Sequence, residues 1–242
     1  MSYTNNNLPP GHSIPLYLGV GFCRYIDHLG SDTRIVETAR VSYGSPSKGP
    51  EADKKLLNYL YKHNHSSPFE CCNITFNIRM PIFIMRQFVR HRTFRLNEVS
   101  ARYTELPDDF FLPEVWRQQD SVNKQGSIEV LDNDIWNLVN TQIAENVYKV
   151  AYDGYKQMIA NGVAKEQARI VLPVGIFTEI NVNCDIRSLM NFLRLRLDSH
   201  AQKEAQELAQ AMFDIMKDKF PWCSEAFRRY KHVIEEVDLE NV

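Results

Sequence analysis

Between Cys72 and Met80 the chain alternates with a period of two: Cys72, Ile74, Phe76, Ile78 and Met80 are apolar, while Asn73, Thr75, Asn77 and Arg79 are polar. Successive side chains of a strand point to opposite faces, so this spacing predicts a half-buried strand. A second run repeats the pattern, with Val174, Ile176, Thr178, Ile180 and Val182 set against Phe177, Glu179 and Asn181. Strands with one wet face belong to a sheet covered on its other side by a second layer.

Helical periodicity supplies that layer. Ser31 or Asp32 caps a helix to about Val41, and Leu56, Leu57, Leu60 and Tyr61 recur at helical spacing. Pro81 fits the first position of a helix running to Arg92, since its missing N–H is harmless there. A long amphipathic helix spans about Asp134 to Ala160 and carries Ile135, Leu138, Val139, Ile143, Val147, Val150 and Met158, with Gly162 just past its end. Shorter helices follow at Lys165–Val171, after an Asp185 cap, at Ala201–Phe220 and from Pro221. Leu16–Ile26 suggests a strand, and Asp108–Gly126 reads as irregular. The expected fold is α+β, a mixed or antiparallel sheet packed against a helical layer. It forms one domain over 1–242, with 1–13 as a polar, flexible tail.

With 28 Lys and Arg against 30 Asp and Glu the net charge is −2, which argues against a nucleic-acid partner. No apolar run is long enough for a membrane span. The five cysteines (Cys23, Cys71, Cys72, Cys184 and Cys223) are odd in number and form no C-x-x-C pair. They read as reduced thiols of a cytoplasmic protein. His63 and His65 lie near Cys71 and Cys72, but the spacing matches no metal site, and none is expected. Glycine-rich phosphate loops and nucleophile motifs are absent.

Positive charge is instead concentrated locally. Arg90–Tyr103 reads RHRTFRLNEVSARY, with Arg90, Arg92, Arg95, Arg102 and His91 around a lone acid, Glu98. Helical spacing puts Gln87, Arg90 and His91 on one face. Guanidinium forks at this density suit a phosphate-bearing ligand, although a solvated basic face or an RNA-binding module has the same composition. After Asp185, Arg187 and Asn191 share a helix face, while Arg196 lies about 140° round from Asn191, so the two address different atoms.

Arg90–Tyr103 resembles the signature R-H-R-x-x-S-x-N-E-x-S-x-R-Y of the flavin-dependent thymidylate synthases and departs from it only at Arg95, where the family has Ser. TARVSY (Thr38–Tyr43), HSSPFE (His65–Glu70), ARIVLP (Ala168–Pro173) and RSLMNFLRLR (Arg187–Arg196) are similar to further blocks of that family, in the family's order. The resemblance implies methylation of dUMP to dTMP, with 5,10-methylenetetrahydrofolate as carbon donor and NADPH-reduced FAD as hydride source. It implies a homotetramer with active sites shared between subunits.

By position, Ser42, Ser67, Arg90, His91, Arg92, Glu98, Asp185, Ile186, Arg187 and Asn191 match FAD contacts. Gln87, Phe88, Val89, Arg90, Glu98, Val99, Ser100, Ala101, Arg102, Arg169 and Arg196 match the dUMP site. Arg196 matches the residue that activates the uracil, and His65 a histidine beside the flavin and folate pocket. Asp185 stands where the family commonly has Asn, and an ionised carboxylate accepts but cannot donate. Arg95 either adds a cation beside the substrate phosphate or turns outward.

Overall fold

The computed structural model describes residues 8–240 except 43, 125 and 130–132, with side chains described as far as residue 231. In chain order the elements are β1 (Ser13–Leu16), β2 (Gly21–Leu29), α1 (Asp32–Val41), α2 (Pro50–Lys62), α3 (Ser67–Glu70), β3 (Asn73–Pro81), α4 (Ile82–Phe88), β4 (Arg95–Glu98), β5 (Arg117–Gln119), β6 (Ser127–Glu129), α5 (Asp134–Ala160), α6 (Lys165–Ala168), β7 (Phe177–Asp185), α7 (Ile186–Arg196), α8 (Lys203–Lys219) and α9 (Pro221–Glu240). Short 3-10 turns occupy Tyr17–Gly19 and Arg169–Val171.

Five strands form one sheet in the order β1-β2-β3-β7-β4, and every pairing is antiparallel. The expected α+β architecture is thus present. The two alternating stretches are neighbours at its centre, with Ile74 opposite Cys184 and Ile78 opposite Ile180. Cys72, Ile74, Phe76, Ile78, Met80, Ile180 and Val182 pack with Leu189, Met190, Met212 and Phe227 into one large core beneath the helices, while Ile176 joins a smaller cluster with Ala101 and Leu106 and Val174 is exposed. The other face carries Thr75, Asn77, Glu179 and Asn183, which bond to each other: Asn77 Nδ2 donates to Glu179 at 2.9 Å, and Asn183 Nδ2 to Thr75 at 3.0 Å.

Long-range polar ties close the helical layer. Asp32 is buried, yet its carboxylate accepts from the backbone N–H groups of Trp222 (2.7 Å) and Cys223 (3.1 Å), capping α9 from the first turn of α1. Between β2 and α1, Gly30 has φ +89°, and a Cβ there would collide with Cys72 Sγ, so a side chain is excluded by both backbone and space. Residues 1–7 of the expected tail lie outside the described residues. From Leu8 onward the chain is tied down, since Leu8 N–H donates to Asp218 and its carbonyl accepts from Lys219 Nζ at 2.6 Å.

Several elements differ from their sequence-based expectations. The 16–26 stretch is two strands around a left-handed turn, with Tyr17 at φ 53° and Leu18 at φ 57°. Tyr17 is held there by its N–H donating to Glu207 at 2.6 Å. Pro81 ends β3 in extended conformation and caps α4 without entering it. The helix expected to reach Arg92 stops at Phe88. Arg95–Glu98, for which the sequence suggests no element, is the edge strand β4, and the irregular 108–126 region contributes β5 to a small hairpin with β6.

The long helix α5 has its expected bounds and Gly162 follows at φ +83°, but its apolar stripe faces outward. Ile135 is 77% exposed, Ile143 56% and Val150 73%. Its inward face is tyrosine: Tyr148 donates to Phe111 O, Tyr152 to Leu106 O, and Tyr155 accepts from Leu106 N–H. These hydroxyls satisfy the backbone of an otherwise irregular segment.

Candidate active site

The site begins where α4 ends. Phe88, His91 and Phe94 are all buried and recur every three residues, a spacing that suits tight turns better than an α-helix. His91 N–H donates to Phe88 O and Phe94 N–H to His91 O, each at 3.1 Å. The three rings pack on Phe192 of α7, with centroids 4.9–5.6 Å away. That cluster is the physical reason for the early end of α4. Its consequence is divergence within the triplet: His91 turns inward, while Arg90 and Arg92 stay exposed, with no polar partner among the described residues.

α7 carries the second cationic group. Both carboxylate oxygens of Asp185 are engaged by Ser188, through its N–H at 2.7 Å and its hydroxyl at 2.8 Å, so this residue acts as the helix cap expected of it. Arg187 donates to Asn64 in the α2–α3 loop at 2.8 Å, and Asn191 accepts from Arg194 at 3.3 Å. His65 and Ser67 are exposed in and beside the same loop, and Ser42 is exposed at the end of α1. Ile186 is core.

At the other end of α7, Arg196 turns back toward α4. Its Nε donates to His91 Nε2 and its Nη1 to Gln87 Oε1, each at 3.4 Å. Burial, then the Arg196 charge, pushes His91 down to about 4, so the ring is neutral and its Nε2 is the acceptor. Burial likewise lowers Arg196 from its ordinary value.

A separate cavity of about 270 Å³ opens beyond β4, lined by Glu98, Val99, Ser100, Ala101, Arg169 and Thr178 among others. Thr178 donates to Glu98 at 2.6 Å. Arg102, outside the lining, pairs with the Glu166 carboxylate, and Arg169 of the lining donates to the Glu166 carbonyl, both at 3.3 Å. Of the residues matched to a nucleotide site, 98–101 and 169 therefore line one cavity. Gln87 and Arg196 meet each other instead, and neither lines that cavity. Phe88 is core, and Val89 is exposed beside Arg90.

Arg95 points away from both groups. It donates to Asn183 at 3.2 Å across the polar face of the sheet, in an open depression shared with Asp27, Asn73 and Thr75. Within the subunit Arg95 is exposed and does not line the cavity.

Thr178, Gln202 and Glu166 are polar neighbours of the site that the sequence reading missed. Thr178 alone left a signal, as the one hydroxyl on the apolar side of its alternating strand. Among the described residues no group of three or more His, Cys, Asp or Glu is placed to hold a metal, and no helix is long and apolar enough to cross a membrane.

Exposed guanidinium forks without a polar partner among the described residues, and a separate small cavity at the edge of an antiparallel sheet, are features that suit a phosphate-bearing ligand. Residues 24–222 match the family described as thymidylate synthase complementing protein. The flavin-dependent thymidylate synthase of Kosmotoga olearia is 47% identical over 212 residues, covering 88% of this chain and 92% of that one. That of Thermosipho africanus is 45% identical over 219 residues, covering 89% and 94%. A crystal structure of the UMP/dUMP methylase PolB from Streptomyces cacaoi, bound with 5-Br UMP, superposes with a TM-score of 0.79 at 32% identity, covering 87% of this chain and 95% of that one. The chain belongs to the flavin-dependent thymidylate synthase family.

Proposed function

We propose that this protein methylates dUMP to dTMP, taking the carbon from 5,10-methylenetetrahydrofolate and the hydride from FAD reduced by NADPH. The observation that carries the reading is the division of the signature segment. Arg90 and Arg92 are exposed with no polar partner among the described residues, while Glu98, Val99, Ser100 and Ala101 line a cavity. Outward guanidinium forks fit the FAD diphosphate, with Ser42, Ser67, His91, Glu98, Asp185, Ile186, Arg187 and Asn191 as the further cofactor contacts. Because both Asp185 oxygens are engaged by Ser188, the acid at this position replaces Asn without presenting a free carboxylate to the cofactor. His65 stands beside the flavin and folate pocket.

In the nucleotide site Ser100, Arg102 and Arg169 supply donors, and Glu98 is an acceptor held by Thr178. Gln87, Phe88, Val89, Arg90 and Arg196 complete it. Arg196 stabilises the negative charge that develops on the uracil as N3 ionises. When bound, FAD supplies the redox chemistry. In this reading no enzyme thiol attacks the ring: burial pushes Cys23, Cys184 and Cys223 well above the ordinary thiol range, and no cysteine lines the cavity. Free, mostly buried thiols suit a reducing compartment, and we read the protein as cytoplasmic.

Two features support a homotetramer with shared sites. The α5 stripe is a long exposed apolar face of the kind that marks an interface. The 270 Å³ cavity also lies at the small end of the roughly 300–1,000 Å³ typical of ligand pockets, which fits a nucleotide site completed by a second surface.

The purified protein is expected to be yellow, to oxidise NADPH faster with dUMP present, and to form dTMP only with methylenetetrahydrofolate. UMP is assayed beside dUMP, because the Streptomyces cacaoi methylase has been seen with 5-Br forms of both. A colourless protein that takes up no FAD, and whose RNA affinity falls steeply with salt, overturns the reading in favour of an RNA-binding module.

A further inference from the structure

Three buried or half-buried arginines of this chain pair with a carboxylate. Arg40 pairs with Asp53, Arg79 with Asp109 and Arg117 with Glu204. Arg196, like Arg24 and Arg187, bonds to neutral acceptors instead, and it has two of them converging on one guanidinium: His91 Nε2 and Gln87 Oε1. A guanidinium held this way keeps its orientation while its charge stays available to a ligand anion.

The arrangement depends on which way the Gln87 amide faces. An amide presents an acceptor at one end and donors at the other, so Gln87 accepts from Arg196 only if its NH₂ is turned the opposite way. That NH₂ donates to Gln202 Oε1 at 2.5 Å. Gln202 occupies the N-cap position of α8, where its carbonyl accepts from Ala205 and Gln206, but its side chain caps nothing. The side chain instead reaches across to α4. A donor in its place would reverse the Gln87 amide and set N–H against N–H at Arg196.

We propose that Gln202 is a positioning residue for Arg196: it fixes the polarity of Gln87, so that two neutral acceptors aim an uncompensated guanidinium at the pyrimidine nucleotide. This rests on the reading of Arg196 as the uracil-facing cation.

The test compares the full-length FAD-loaded wild type with Gln202→Glu and Gln202→Lys, by crystal structures without nucleotide and by calorimetric titration with dUMP. Glutamate still accepts from Gln87, so Arg196 stays in place and dUMP affinity remains within about threefold of wild type. Lysine can only donate, so the Arg196 guanidinium leaves Gln87 and dUMP binding weakens about tenfold or more. The flavin absorbance is unchanged in both variants. An Arg196 that stays put in the lysine variant, or a glutamate variant as impaired as the lysine one, overturns the proposal. Should Arg196 move while dUMP affinity does not, positioning is upheld and the uracil-facing reading of Arg196 is the one that fails.

Discussion

The Thr178 hydroxyl donates to the Glu98 carboxylate at 2.6 Å, so a residue of the central strand β7 fixes an acid on the edge strand β4. Thr178 itself is buried, and the bond joins the side chains of two residues that line the cavity. Thr178→Val keeps the shape and removes the donor. dUMP affinity is expected to fall about fivefold, equivalent to about 1 kcal/mol, with the fold retained. Calorimetric titration measures it, and an unchanged affinity would remove Glu98 from the nucleotide site.

Arg196→Ala is expected to abolish dTMP formation while leaving the flavin spectrum intact. Arg196 touches Gln87 and His91, whereas Arg187 and Asn191 face the α2–α3 loop and Arg194. Loss of bound FAD in this variant would mean that the two ends of α7 do not serve different ligands.

His91 sets a pH dependence of stability. Its folded value, about 4, lies below the ordinary 6.5. Between these values the unfolded chain binds a proton that the folded chain refuses, so stability is full above pH 6.5 and falls as pH drops toward 4. The loss amounts to about 3 kcal/mol over that window. Urea midpoints measured across pH 4–7 should show a shallower acid slope for His91→Gln than for wild type. Parallel slopes would place the ring in water.

Asp32→Ala removes the acceptor for two N–H groups at the start of α9. A loss of about 2 kcal/mol is expected, seen as a lower urea midpoint with an unchanged m value. No loss would show that water replaces the cap.

Ile143→Glu places a charge in the middle of the α5 stripe without touching a core contact of the subunit. Sedimentation of the wild type is expected at four times 28.2 kDa, and of the variant at a smaller mass. A variant that sediments like wild type would exclude the stripe from the interface.

The central architecture was legible because β3 and β7 alternate strictly and α1, α5 and α7 carry recognisable caps. β4 was not, since RLNE has one inward apolar residue, Leu96, and an edge strand of four residues needs no more. The end of α4 at Phe88 was hidden because Phe88, His91 and Phe94 sit three apart, and only their shared contact with Phe192 decides against a continued helix. In α5 the periodicity identified the apolar face correctly, but a stripe turned to a core and one turned outward have the same spacing. Gln202 left no trace, because its role lies in which end of an amide faces which neighbour.

The placement of β4 carries one more consequence. A single neighbour, β7, holds this strand in the sheet, and its last residue is Glu98, where the cavity lining begins. Edge strands fray at a free energy far below that of global unfolding. The cavity wall therefore belongs to an edge of the sheet, which opens more easily than its centre, and a nucleotide seated there would act as a clasp, quieting a local opening that leaves the buried core untouched.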